Sequence, residues 1–261
     1  AKIIERDENL NSPNNKRAAK LRAKTVMFDE MTPSIIMAGF PMLDWIDIAM
    51  SPVCLPGEVD QNANIMYVDA AERMGLAADV CPLPSAEVGC AIVDDYPQVG
   101  SSFITSSMPC DGSLGAALFM DRYMKKLPSF TLTPPQRFNE PETNAYAVKD
   151  LKNCIRFIEE TYHVKWDWDA FWEKAEEYNK TTQCMLDKWY VNCTPYPQVI
   201  GSALSLQREY EFQTAACLDP FMTKQDEKVT KMMLKGYEKD READRRDYKY
   251  RVPLLASAST V

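Results

Sequence analysis

The chain has 261 residues, with 38 acidic and 30 basic side chains, one histidine, eight cysteines and nine glycines. A formal charge of −8 argues against a nucleic-acid partner, because non-specific binding needs a basic footprint. One histidine excludes His-rich metal sites and disfavours a His-based triad, and neither G-x-G-x-x-G nor G-x-x-x-x-G-K-[ST] occurs to cradle phosphates.

With 46% hydrophobic and 26% charged residues, the composition is that of an ordinary globular protein of one or two domains. No apolar run approaches the roughly 18 residues of a membrane span, so no membrane partner is expected. The opening stretch, AKIIERDENLNSPNNKRAAKLRAK, has no apolar centre like that of a signal peptide, and a cytoplasmic location is expected.

The first 25 residues read as a charged helix or tail. From about Thr25 to Pro135, short apolar segments alternate with proline punctuation. SIIMAG (34–39) and GSSFITSS (100–107) read as short buried strands, and LAADVC (76–81) as a weaker one. Between them, NIMYVDAAERMG (64–75) and SLGAALFMDRYMKKL (113–127) carry helical apolar spacing. SFTLTPPQRFNEPET (129–143) reads as a strand and then a proline-rich connector. Strands alternating with helices predict an α/β layer with a parallel sheet.

From Asn144 the pattern turns helical. Ala147, Leu151, Cys154, Ile155 and Ile158 form one face over 144–162, and Asp167 or Asp169 caps a long helix reaching about 190. CTPYPQVIGS (193–202) breaks it, and residues from about 203 to 247 are helical and increasingly charged. RVPLLAS (251–257) reads as a buried strand, either returning to the first sheet or opening a second domain.

The cysteines are Cys54, Cys81, Cys90, Cys110, Cys154, Cys184, Cys193 and Cys217. No C-x-x-C pair occurs, so a zinc site is not expected, and disulfides are not expected in a chain of this size without a leader. Cys90, Cys154, Cys184 and Cys217 fall on or near apolar helix faces and read as core, and Cys193 as a structural loop residue. Cys81 and Cys110 differ in context. Each follows an expected strand and precedes an expected helix, behind Ser85 in one case and Asp111 or Ser113 in the other. The rim at the carboxyl ends of strands is where open α/β sheets bind ligands. Helix amino ends favour thiolate, the form that ligates metal, so two such cysteines could hold part of an iron–sulfur cluster. Asp111 could cap its helix or tune such a cluster. Ser106 and Ser107 could hydrogen-bond sulfur or substrate, or serve only the turn. His163 reads as structural, and Trp166, Trp168 and Trp172 as a packing cluster or a subunit interface.

Five segments, in order, share a resemblance: GEVDQNANIMYVDAAERMGLAADVC (57–81), SSFITSSMPCDGSLGAALFMDRY (101–123), LPSFTLTPPQRFN (127–139), VKDLKNCIRFIEETYHVKWDWDAFWEKAEEYNKT (148–181) and YKYRVPLLASAS (248–259). They resemble the 2-hydroxyacyl-CoA dehydratase and benzoyl-CoA reductase family, over most residues from about 35 to 258. The first is similar to the stretch ending in that family's first cluster cysteine, and the second to the strand, turn and following helix where its second cluster cysteine sits. Pro82-Leu83-Pro84-Ser85 stands where its dehydratase subunits often carry Tyr-x-Arg, and IIMAGFPMLDW (35–45) stands where the family has a Ser-rich stretch.

The resemblance implies a Rossmann/flavodoxin-like cluster-binding domain at 26–143 after the charged segment 1–25. A helical segment at 144–247 follows, then the first strand of a second α/β domain at 248–261, whose remainder, with a third cluster cysteine, is absent. It implies that Cys81 and Cys110 ligate a [4Fe-4S] cluster, in one of two homologous subunits. It further implies an ATP-hydrolysing iron–sulfur activator that injects one electron, and an acyl-CoA substrate that loses water through a ketyl radical. Reduction of an aromatic acyl-CoA, or a non-catalytic interaction or scaffold subunit, are the alternatives.

Overall fold

The computed structural model describes residues 16–28, 34–47, 60, 62–96, 99–107, 111–123, 127–135, 140–213 and 218–246. The chain divides into two compact units, one of residues 1–33 and 40–166, the other of 34–39 and 167–261.

The first unit runs α1 (Lys16–Arg22), β1 (Thr25–Phe28), β2 (Asp44–Asp47), α2 (Ile65–Arg73), α3 (Pro82–Ile92), β3 (Ser102–Ser106), α4 (Asp111–Tyr123), β4 (Ser129–Leu132) and α5 (Pro141–Tyr162). Among the described residues its four strands are all parallel in the order β2-β1-β3-β4, with Val26 opposite both Trp45 and Ser102, and Ile104 opposite Phe130. The α/β class and the parallel sheet are therefore as expected. β3 is buried at all five positions and β1 at three of four, as in parallel sheets covered on their faces. After β2 the chain crosses over β1 to reach β3. The order thus reverses between β1 and β3, which makes their carboxyl ends the switch point of the sheet.

The core joins Met27 and Phe103 of the sheet to Val88 and Cys90 of α3 and Ala116 of α4, with Tyr96 edge-on to Phe103 at 5.7 Å. α3 packs against both α2 and α4. α5 starts at Pro141, where a missing N–H costs nothing. It ends at His163, whose φ of 55° turns the chain out of the helix, in keeping with a structural role at that junction. The Tyr162 hydroxyl donates to the Thr25 carbonyl (2.8 Å) and meets the Ser101 and Ser102 hydroxyls (3.1 and 2.7 Å), tying the end of α5 to the sheet.

Two expected strands are absent. SIIMAG forms a 3-10 helix (Ser34–Gly39), and a short apolar run cannot by its periodicity distinguish the two states. The helical unit supplies its partners: it packs on the helix that begins at Trp168, and the Asp167 N–H donates to the Gly39 carbonyl at 2.9 Å. LAADVC is a run of turns in which Leu76 is buried and Ala77, Ala78 and Asp79 are exposed, so it lacks the alternation a paired strand needs. β1 and β2 took no part in the expectation, each being four residues long.

The second unit contains that 3-10 helix, α6 (Trp168–Cys193), α7 (Gly201–Gln213) and α8 (Pro220–Glu242). Asp167, rather than Asp169, caps α6, its Oδ1 accepting from the Ala170 N–H at 3.0 Å. Asp219 caps α8 by accepting from the Phe221 N–H at 2.9 Å. α6 and α8 meet through Thr181 and Thr223 (3.3 Å) and a Thr230 hydroxyl donating to the Cys184 carbonyl (3.5 Å). Between them Lys188, 0% exposed, donates to Asp226 Oδ1 in a buried ion pair. Gln207 Nε2 donates to the same oxygen (2.8 Å) and to Glu211 Oε1 (2.7 Å).

Burial, and to a lesser degree the Asp226 carboxylate, raise the Glu211 pKa above its ordinary value. Between about 4.3, the unfolded value, and the raised folded value, the native chain holds a proton that the unfolded chain has lost. Stability is therefore fullest below that window and falls as pH rises through it. Glu211→Gln is expected to flatten this slope in urea unfolding followed across pH, and an unchanged slope would count against a protonated Glu211. Among the described residues, no helix is long and apolar enough to cross a membrane. RVPLLAS lies outside the described residues.

Candidate functional site

Cys81 is the N-cap residue of α3, with φ −51° and ψ 135°, and its thiol is exposed. Its carbonyl accepts from the Ser85 N–H (3.3 Å) and the Ser85 hydroxyl (3.0 Å). Pro82 and Pro84 occupy the first turn, fixing φ and removing donors that would otherwise be orphaned. Ser85 thus closes the turn by gripping the Cys81 main chain, and the thiol projects from a held backbone. A helix amino end is present as expected, but the helix starts at Pro82 with Cys81 as its N-cap residue, not behind a Ser85 cap, and a turn, not a strand, precedes it.

β3 leads toward the second candidate. Ser106 and Ser107, at its carboxyl end, are buried, and the Ser107 N–H donates to the Leu132 carbonyl at 2.8 Å. Cys110 falls in residues 108–110, outside the described residues, as do Cys54 and Cys217, and the Asp111 side chain is likewise undescribed. α4 begins at Asp111, so the sequence order of strand, cysteine and helix holds on both sides of Cys110. α3 and α4, which the two cysteines precede, pack against each other.

The same rim carries polar groups absent from the sequence reading. Thr105 and Thr131 share a hydroxyl–hydroxyl contact of 2.8 Å across β3 and β4. The Thr133 N–H donates to Asp150 Oδ2 (2.7 Å), and its hydroxyl meets that of Tyr146 (2.9 Å). α5 thereby fastens the carboxyl end of β4. Asp150 and Tyr146 lie one helical turn apart, at i and i+4, and this spacing was the only sequence signal of their shared face.

Cys90, Cys154 and Cys184 are buried core residues, as expected, and none of the five described cysteines is in a disulfide. Burial pushes the Cys154 thiol up to about 12, with Asp150 adding to it. Burial and then Asp95 push Cys90 up to about 12, and burial likewise raises Cys184. Thiols held protonated in this way are poor ligands near neutral pH. Among the described residues no group of three or more His, Cys, Asp or Glu side chains could hold a metal ion.

Trp168 and Trp172 stack at 6.4 Å with Phe171 edge-on at 5.2 Å, whereas Trp166 sits edge-on to Phe40 at 5.2 Å. Two tryptophans four apart share a helix face, while Trp166 precedes the cap.

A search of curated proteins found no match. The family model for the 2-hydroxyglutaryl-CoA dehydratase D-component matches residues 57–254, which include both Cys81 and Cys110. By that match, over three quarters of its length, the chain belongs to the 2-hydroxyglutaryl-CoA dehydratase D-component family.

Proposed function

We propose that this chain is the iron–sulfur subunit of a 2-hydroxyacyl-CoA dehydratase-type enzyme, removing water from an acyl-CoA thioester. The observation that carries this reading is the family match across residues 57–254, within which Cys81 stands as an exposed thiol at the amino end of α3. In this reading Cys81 and Cys110 ligate a [4Fe-4S] cluster, with further ligands from outside the described residues. A homologous second subunit and an ATP-dependent iron–sulfur activator complete the system.

The bound cluster supplies one-electron chemistry at low potential. The chain's own residues hold and shield it. Pro82, Pro84 and Ser85 fix the Cys81 backbone, so the thiol is presented with little freedom to lose on ligation. Ser106 and Ser107 put hydroxyls at the end of β3, where they can donate to sulfur or to the thioester carbonyl. Thr133, Asp150 and Tyr146 fix the neighbouring strand end. Met27 and Phe103 on one face of the sheet, and Val26 and Ile104 on the other, are all buried and keep water from both sides.

Anaerobically purified protein, with its second subunit, is expected to be brown and to contain iron and acid-labile sulfide. Cys81→Ser and Cys110→Ser should each lose most of that iron, whereas Cys154→Ser should keep it. Full iron retention in both variants, or its absence from the wild type, rejects the reading. With activator and ATP, water loss from a 2-hydroxyacyl-CoA is expected in place of ring reduction of an aromatic acyl-CoA.

A further inference from the structure

The helical unit carries two oppositely charged faces with matching periods. On α8, Lys224, Lys228, Lys231 and Lys235 follow one another at intervals of four, three and four, and all four are exposed. They share one side of the helix over roughly 16 Å, at 1.5 Å per residue. With Glu227 and Met232 they line a shallow groove of about 350 Å³. Lys231 reaches Glu227 only at 3.9 Å, and Lys224, Lys228 and Lys235 make no ion pair with a described residue. The opposite side of α8, bearing Thr223, Asp226, Thr230 and Met233, is the buried one.

On α6 the exposed side carries Asp169, Glu173 and Glu176, at intervals of four and three. None of the three makes an ion pair with a described residue, while Lys180, which follows, is taken up by Glu177 at 2.7 Å. Trp168 and Trp172 stand beside these carboxylates, 55% and 59% exposed. The lysine face has its own apolar companions in Phe221 and Met232, 63% and 65% exposed. Each face thus sets exposed aromatic or Met side chains, the residue types enriched where a surface is covered in an assembly, beside charges that set the choice of partner. The charges are opposite and the spacings match.

We propose that two copies of this chain associate through these faces, the lysines of α8 in one copy meeting Asp169, Glu173 and Glu176 of α6 in the other. Both faces lie within one compact unit, where α6 and α8 pack along a shared seam. A twofold axis therefore makes the contact twice and closes it. Two chains of formal charge −8 repel at long range, so the attraction is local. Added salt screens such exposed pairs, with a Debye length of about 8 Å at physiological strength. An acidic chain is a poor nucleic-acid binder, which favours a protein surface as the occupant of the lysine face.

The test is sedimentation of the full chain at low and high salt, with two charge-reversed variants. Lys224→Glu/Lys228→Glu/Lys231→Glu/Lys235→Glu makes both faces acidic, and Asp169→Lys/Glu173→Lys/Glu176→Lys makes both basic. Wild type should be dimeric at low salt and dissociate as salt rises. Each variant alone should be monomeric, its dissociation constant raised about tenfold or more. Mixed one to one, the two variants should re-form a dimer, because each then meets its opposite. That rescue also shows that both variants are folded. A wild type monomeric at every salt concentration, dimers that survive either reversal, or a mixture that stays monomeric would overturn the proposal. Association of the wild type with a different acidic protein or with nucleic acid, in place of itself, would overturn it too.

Discussion

Replacing Lys188 with methionine is expected to destabilise the helical unit by about 3–5 kcal/mol, the cost of leaving a buried partner charge unpaired. Lys188 has no exposed surface, and its ammonium group donates to Asp226 Oδ1. Asp226 Oδ2 and Glu211 Oε2 have no hydrogen-bond partner among the described residues, so nothing there is spare to take over the lysine's charge. Gln207 gives its amide nitrogen to both carboxylates but brings no charge. Methionine fills the space of the lysine stem while removing its ammonium, which isolates the electrostatic term from a cavity. Lys188→Met/Asp226→Leu should recover most of the loss, because the pair is then absent rather than broken. Urea unfolding followed by circular dichroism measures both. If the double variant is no more stable than the single, the pair is not what holds the seam between α6 and α8.

Gly89→Ala is expected to cost about 2 kcal/mol or more despite exchanging glycine for the best helix former. Gly89 lies in the middle of α3, where alanine alone would gain about 1 kcal/mol. Here a Cβ would land on the carbonyl of Tyr67 in α2 and come within 2.7 Å of the Tyr67 Cα. Those are backbone atoms, which cannot rotate aside, so α2 and α3 must separate. Thermal unfolding reads the loss of stability, and a melting temperature at or above wild type would refute the close approach. α3 also carries Cys81 at its amino end, so under the proposed function the iron content of Gly89→Ala falls with its stability.

These two effects differ in how they can be seen from the sequence. Asp167 marked the start of α6, because capping chemistry is local, whereas α3 starts at Pro82 with Cys81 as its N-cap residue, four residues ahead of the expected cap Ser85. GSSFITSS announced β3 by its apolar, β-branched centre between small polar residues. TVMF and DWID announced nothing, since four residues carry too little periodicity, and their strand state is set by pairing with β3 and with each other. SIIMAG misled for the converse reason, its partners lying some 130 residues further along the chain. That Cys81 lies at the amino end of a helix was legible. The Lys188–Asp226 pair was not, because a lysine and an aspartate in charged amphipathic helices read as solvated until their facing seam is known.

The 3-10 helix at Ser34–Gly39 has a consequence for how this protein can be divided. It lies between β1 and β2 in the chain yet belongs to the helical unit, where Asp167 is bound to Gly39. No single cut therefore releases either unit whole. A fragment starting at Asp167 lacks the segment that packs on α6, and a fragment ending at Trp166 carries that segment with nothing to receive it. Recombination that exchanged the helical unit by one crossover would leave this piece of the donor behind. The two units are thereby constrained to be inherited together, although each has its own interior.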